Sequence, residues 1–189
     1  MKMNVPFRVV TNISLDALDN IINNIEEPDW YSSDYRKNSF NMSGVASIPI
    51  YHTPLCVSAQ CNNGAIRDIK KQLLYDKYFP LIEPILNELR KHYDFTQYAA
   101  FLARLSPYSN IGMHTDLGNF LTLCHRIHIP LVTNPNIEYI IEDKSYYWEK
   151  GSIYEFDNTL MHGVSNKSDR HRIHLVINLY NLTEQELTL

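Results

Sequence analysis

The sequence predicts a mainly β fold with N-terminal helices: a jelly-roll barrel (a double-stranded β-helix, cupin-like) with the helices packed on one sheet. Three observations carry this. Apolar residues recur at helical spacing only before about residue 95. Beyond Asp94 the period changes to alternation. Turn signals such as Ser106-Pro107, Asn134-Pro135-Asn136, Asp143-Lys144 and Lys150-Gly151 then cut the remainder into eight short stretches. Eight short strands after a helical portion fit two sheets closed into a barrel, one of them covered by helices.

Residues 7–11 are short and β-prone and read as an edge strand. Ser14 stands before Leu15, Leu18, Ile22 and Ile25, a capped helical stripe over about 14–26 that Pro28 ends. From Asp29 to Asn63 the chain is turn-rich, with Trp30, Tyr31 and Tyr35 read as aromatics that pin a loop to the core, and a strand over Ser47–Tyr51. Two helical stripes follow. Ile66, Ile69, Leu73 and Leu74 mark the first; Leu81, Ile85, Leu86 and Leu89 mark the second, with Pro80 and Pro84 at its start and Arg90, Lys91 and His92 suiting its C-terminal end. Strands are expected over 97–105, 111–116, 124–132, 137–142, 146–149, 152–156, 160–164 and 172–180. The 189 residues are read as one domain, with about 1–95 as mostly helical support and about 96–181 as the jelly-roll core.

Seventeen basic against twenty-one acidic side chains give a formal charge of −4, which argues against a nucleic-acid surface. No apolar run approaches the ~18 residues of a membrane span, so no membrane partner is expected. Cys56, Cys61 and Cys124 are odd in number and form no metal-type pair, as in a reducing compartment. With no apolar leader at Met1–Pro6, a cytoplasmic location is expected. No feature sets an oligomeric state.

Function concentrates between Gly112 and Asn178, where six of the eight histidines and four of the six glycines fall. In a strand, residues two apart share a face. Arg126 and His128 therefore point one way and Ile127, Ile129 and Leu131 the other; Arg172 and His174 likewise oppose Ile173, Leu175, Ile177 and Leu179. Aliphatic rows meeting the helices leave the Arg/His rows lining a cavity. His114 and Asp116 are also two apart, and His162 is the best third ligand. Two His and one carboxylate leaving open positions form the facial triad of non-haem Fe(II) oxygenases, although zinc takes the same ligands with a catalytic water.

With these residues in place, the chain resembles the aspartyl/asparaginyl β-hydroxylase branch of the Fe(II)/2-oxoglutarate-dependent dioxygenases and is similar to the bacterial proline hydroxylases. The likeness covers roughly residues 97–181 and rests on Arg126-Ile127-His128-Ile129-Pro130-Leu131, Thr133-Asn134-Pro135, Gly151 to His162 with its Phe156-Asp157-Asn158, and Arg172-Ile173-His174-Leu175-Val176. It implies Fe(II) held by His114, Asp116 and His162, 2-oxoglutarate as cosubstrate with O2, and Arg172 on the distal carboxylate. It also places His128 near the keto-acid end and Arg126 on cosubstrate or substrate. The implied substrate is an amino-acid side chain of Asp, Asn or Pro type, in a peptide or as the free acid. Two departures stand out: the position of Asp116 is glycine in animal aspartyl hydroxylases, and Ala103 falls where a serine lies near the distal carboxylate. Beside this reading stand a metal-dependent hydrolase or isomerase on a cupin-like barrel and a metal- or ligand-binding module without turnover.

Overall fold

The computed structural model describes residues 3–32, 44–51, 71–116 and 121–181. Its strands are β1 (Phe7–Asn12), β2 (Val45–Tyr51), β3 (Gln97–Leu105), β4 (Asn110–His114), β5 (His125–Val132), β6 (Ile137–Ile141), β7 (Lys144–Tyr146), β8 (Ser152–Phe156), β9 (His162–Asn166) and β10 (Arg172–Tyr180). Among the described residues, two α-helices, α1 (Leu15–Asn23) and α2 (Tyr75–Leu89), and a 3-10 helix, Glu27–Tyr31, precede β3. The strands form a six-stranded sheet in the order β1-β8-β5-β10-β3-β2 and a four-stranded sheet in the order β4-β9-β6-β7. All pairings are antiparallel. This is the expected double-stranded β-helix, with β1 and β2 as the edges of the larger sheet.

The alternation places the two cores. On one face of the six-stranded sheet, Ile48, Ile50, Leu102, Ile127, Ile129, Leu175 and Ile177 pack with Leu18 and Ile21 of α1 and Tyr78, Ile82, Ile85 and Leu89 of α2. Each such fully buried aliphatic side chain contributes about 1.5–3 kcal/mol. Between the sheets lies a second cluster of Leu105, Ile137, Tyr139, Ile141, Trp148, Tyr154, Phe156 and Val164. One face of β5 and β10 is thus committed to the helices, which leaves Arg126, His128, Arg172 and His174 facing the inter-sheet space.

The helical portion departs from expectation in detail. α1 stops at Asn23, and Pro28 opens the 3-10 helix instead of ending α1. The buried stripe of α1 is Leu18 and Ile21, while Leu15 is exposed. α2 begins at Tyr75, so Pro80 and Pro84 lie inside it. Both prolines sit on its exposed side, and the apolar stripe from Tyr78 to Leu89 holds the helix despite the lost backbone donors. Of the other predicted stripe, Ile66 and Ile69 lie outside the described residues, Leu73 and Leu74 occupy a turn, and Lys71 bridges Tyr51. Tyr35 lies outside the described residues, whereas Trp30 is buried under the Arg104 guanidinium and Tyr31 is exposed. β3, β8 and β10 have the predicted bounds, but β7 lies two residues before the expected 146–149, because Glu142 takes a φ of 56° and turns the chain early. No helix among the described residues is long and apolar enough to cross a membrane.

Candidate metal centre

β4 and β9 bring the predicted ligands together. His114 and His162 are direct cross-strand partners, with ring centroids 4.4 Å apart. Asp116 is not on the strand with His114, as expected, but follows its end, where its N–H donates to the Asn158 carbonyl at 3.0 Å. One donor atom from each of His114, Asp116 and His162 falls within 4.8 Å of the others. Close approach of the two strands needs Gly163: a Cβ there would sit 2.8 Å from the Ile111 carbonyl and 3.0 Å from Met113 Sδ.

Both imidazoles are oriented by the backbone. His114 Nδ1 lies 2.8 Å from the Gly112 carbonyl, and His162 Nδ1 lies 2.8 Å from the Leu160 carbonyl. A carbonyl only accepts, so each Nδ1 carries the proton and each Nε2 presents a lone pair. Those Nε2 atoms lie 3.7 Å and 4.0 Å from the Asp116 carboxylate oxygens. Burial pushes His162 below the usual histidine range; the Leu160 carbonyl and Asp116 act against this without reversing it. Burial would raise Asp116, but Arg126, His162 and His114 beside it hold its carboxyl below the usual range. Two imidazole Nε2 atoms and one carboxylate thus face one another, a donor chemistry suited to a divalent metal.

The predicted Arg/His row lines the same pocket. Its walls are Ile111, His114, Asp116, Arg126, His128, Tyr139, Ile140, Ile141, Trp148, Phe156, His162, Gly163, Val164 and Arg172. Arg126 Nε lies 3.3 Å from Asp116 Oδ2, and its Nη1 donates to Asn178 Oδ1 at 3.1 Å. It therefore steadies the carboxylate of the triad. Arg172 is 2% exposed and donates from Nε to the Tyr139 hydroxyl at 2.7 Å. Among the described residues no carboxylate lies within ion-pair distance of it. A buried guanidinium without a protein counter-ion is costly and marks a place for an anionic ligand.

Three aromatic residues of the pocket carry no role legible in the sequence. Tyr139 is buried and holds Arg172; its alternation with Glu138 and Ile140 is ordinary strand patterning. Trp148 is 1% exposed and stacks on Tyr139 with centroids 4.1 Å apart, and Phe156 packs edge-on to both His128 and His162. His174 is wholly buried against Tyr139, 2.5 Å from its hydroxyl. Ala103, its cross-strand partner, brings no hydroxyl. Asp157 holds a turn, accepting from the Thr159 N–H at 3.0 Å and the Met3 N–H at 2.8 Å. His125 lies in β5, within the expected strand, with Nδ1 2.6 Å from Glu155. His92 and His171 are exposed, and His52 lies outside the described residues.

A family model for the aspartyl/asparaginyl beta-hydroxylases matches residues 71–181. A comparison with curated proteins yields no match. Among solved structures, a prolyl-4-hydroxylase of Pseudomonas putida is similar over 95% of this chain and 95% of its own, at 10% identity and a TM-score of 0.56. The viral collagen prolyl hydroxylase of Paramecium Bursaria Chlorella virus-1, solved as a 2-oxoglutarate complex, aligns over 95% of this chain and 98% of its own, at 14% identity and a TM-score of 0.53. HygX of Streptomyces hygroscopicus, with nickel and 2-oxoglutarate bound, aligns over 96% and 85%, at 10% identity and a TM-score of 0.57. At these identities the likeness is one of fold.

Proposed function

Because the chain belongs to the aspartyl/asparaginyl β-hydroxylase family, and with it to the 2-oxoglutarate-dependent hydroxylating dioxygenases, we propose that it uses Fe(II), 2-oxoglutarate and O2 to hydroxylate an amino-acid side chain. The substrate on this reading is of Asp, Asn or Pro type, as a free amino acid or within a peptide. One observation carries the proposal: a His114/Asp116/His162 donor set shares its pocket with a buried Arg172 that has no carboxylate partner among the described residues.

The metal would be held by Nε2 of His114, Nε2 of His162 and the Asp116 carboxylate. When bound, the iron and its cosubstrate supply oxidative decarboxylation of the keto acid to succinate and CO2, coupled to hydroxylation of a C–H bond. The chain's own residues do the positioning. The Gly112 and Leu160 carbonyls hold both imidazoles in the ligating tautomer. Arg126 keeps Asp116 anionic and in place. Arg172 offers terminal amino groups to the distal carboxylate of 2-oxoglutarate, in the planar geometry that a carboxylate matches. His128 and Arg126, on the same wall, serve the keto-acid end or the substrate. Trp148, Phe156, Ile141 and Val164 make the rest of the wall apolar and limit water.

An anaerobic Fe(II) titration of the apo protein, with and without 2-oxoglutarate, tests this. A weak visible charge-transfer band that needs both components is the expected result, followed by iron-dependent succinate formation in air. Iron binding without that band would overturn the cosubstrate assignment and favour a hydrolase, an isomerase or a non-catalytic binder.

A further inference from the structure

The donors and acceptors around Arg172 line up as one chain of close contacts. A guanidinium Nε–H can only donate, so Tyr139 Oη accepts at 2.7 Å. The single Tyr139 proton must then go elsewhere, and His174 Nε2 is 2.5 Å away. In this arrangement His174 Nε2, the nearer of two ring nitrogens (Nδ1 lies 3.4 Å from the same hydroxyl), accepts, and the ring carries its proton on Nδ1. That atom lies 3.4 Å from His128 Nδ1, which accepts when the His128 proton is on Nε2. Burial, Arg172 and His128 push His174 well below the histidine range, and burial lifts Tyr139 to about 12, which favours the uncharged form of both. Tyr139 is clamped flat on Trp148, 4.1 Å between centroids and 15° between planes, so its hydroxyl has little freedom.

We propose that Tyr139 and His174 are positioning residues for Arg172. The directed chain Arg172 to Tyr139 to His174 occupies only Nε of the guanidinium and reserves its two terminal amino groups for the distal carboxylate of the cosubstrate. The same chain ends on His128, so the anion anchor and a histidine of the pocket wall are held by one hydrogen-bonded unit between the sheets. Buried hydrogen bonds of this kind are strong because water does not compete for them. This inference rests on the assignment of Arg172 to the cosubstrate, and its test separates the two.

The test uses calorimetric titration of the Zn(II)-loaded protein, which does not turn over, with 2-oxoglutarate and with 2-oxopentanoate, the same keto acid without a distal carboxylate. Wild type is expected to prefer the diacid, and Arg172→Ala to lose that preference. Tyr139→Phe keeps the ring on Trp148 and removes only the hydroxyl. It is expected to weaken 2-oxoglutarate about tenfold, the effect of one hydrogen bond to a charged group, and to leave 2-oxopentanoate unchanged. If Arg172→Ala loses the preference while Tyr139→Phe keeps it, or weakens both acids equally, the positioning role is overturned and the anchor stands. If Arg172→Ala keeps the preference, the anchor assignment fails and the positioning role with it. Nitrogen-15 NMR of histidine in the unmodified protein gives a second reading that needs no variant. His174 is expected neutral with its proton on Nδ1 at neutral pH; the opposite tautomer or a charged ring would overturn the chain.

Discussion

His114 and His162 face each other as cross-strand partners of β4 and β9, each with Nδ1 2.8 Å from the backbone carbonyl two residues before it. The register of one antiparallel pair therefore sets the separation of the two rings, and the carbonyl two residues before each orients it. Asp116 completes the set from the segment just beyond β4, tied to Asn158 and Arg126. The site is thus built from sheet pairing, with the helices on the far face of the larger sheet supplying stiffness.

Replacing either histidine removes a proposed metal ligand without disturbing the core on the helical side. His162→Ala is expected to lower divalent-metal affinity by more than about a hundredfold, beyond the cost usual for changes in the shell around ligands. Metal content after dialysis, with far-UV circular dichroism as the check on folding, measures this.

Gly163 sits where β4 and β9 come closest. Gly163→Ala would force a Cβ to within 2.8 Å of the Ile111 carbonyl, so β4 has to move, at about 1–3 kcal/mol of stability. Metal affinity should fall with it, since His114 travels on β4. Gly112→Ala is the control, because a Cβ there meets nothing within 4 Å. Urea unfolding and metal titration of both variants give the comparison.

Much of this was legible in advance for a physical reason. A period of two forces Arg126 and His128 to one side and Ile127, Ile129 and Leu131 to the other, so the polar wall of the pocket follows from local pattern. β3, β8 and β10 are bounded by turn residues and kept their predicted ends. What escaped depends on contacts distant in sequence. Tyr139 meets Arg172 across 33 positions, and nothing near Tyr139 announces that partner. The role of Trp148 likewise shows only with Tyr139 and Tyr154 stacked against it. Pro80 and Pro84 misled because the buried stripe of α2 outweighs their local preference.

Arg172→Ala should raise the 2-oxoglutarate concentration needed for half-maximal succinate formation by at least about tenfold, the scale of a lost charge-assisted pair. Turnover at saturating cosubstrate should change less, because His114, Asp116 and His162 are untouched. A steady-state succinate assay over a range of 2-oxoglutarate decides it, and an unchanged requirement would sink the anchor role.

The last prediction concerns stability away from the site. Glu155, 2% exposed on β8, has Oε1 2.6 Å from His125 Nδ1 and accepts from the Tyr93 hydroxyl at 2.9 Å and Arg8 Nε at 2.8 Å. Burial raises its carboxyl, but His125, Tyr93 and Arg8 together hold it below its ordinary value of 4.5. A carboxylate held low binds fewer protons folded than unfolded, so its contribution is complete above the ordinary value. It is lost as pH falls from there through the folded value. These contacts tie β1 to β8 and β5, so acid should loosen that edge of the six-stranded sheet. Urea unfolding of the wild type should show stability dropping below about pH 4.5. Glu155→Gln should be less stable at pH 7 and show a shallower acid limb, because the group that titrates has been removed. Parallel acid limbs in the two proteins would place the titration on other carboxylates.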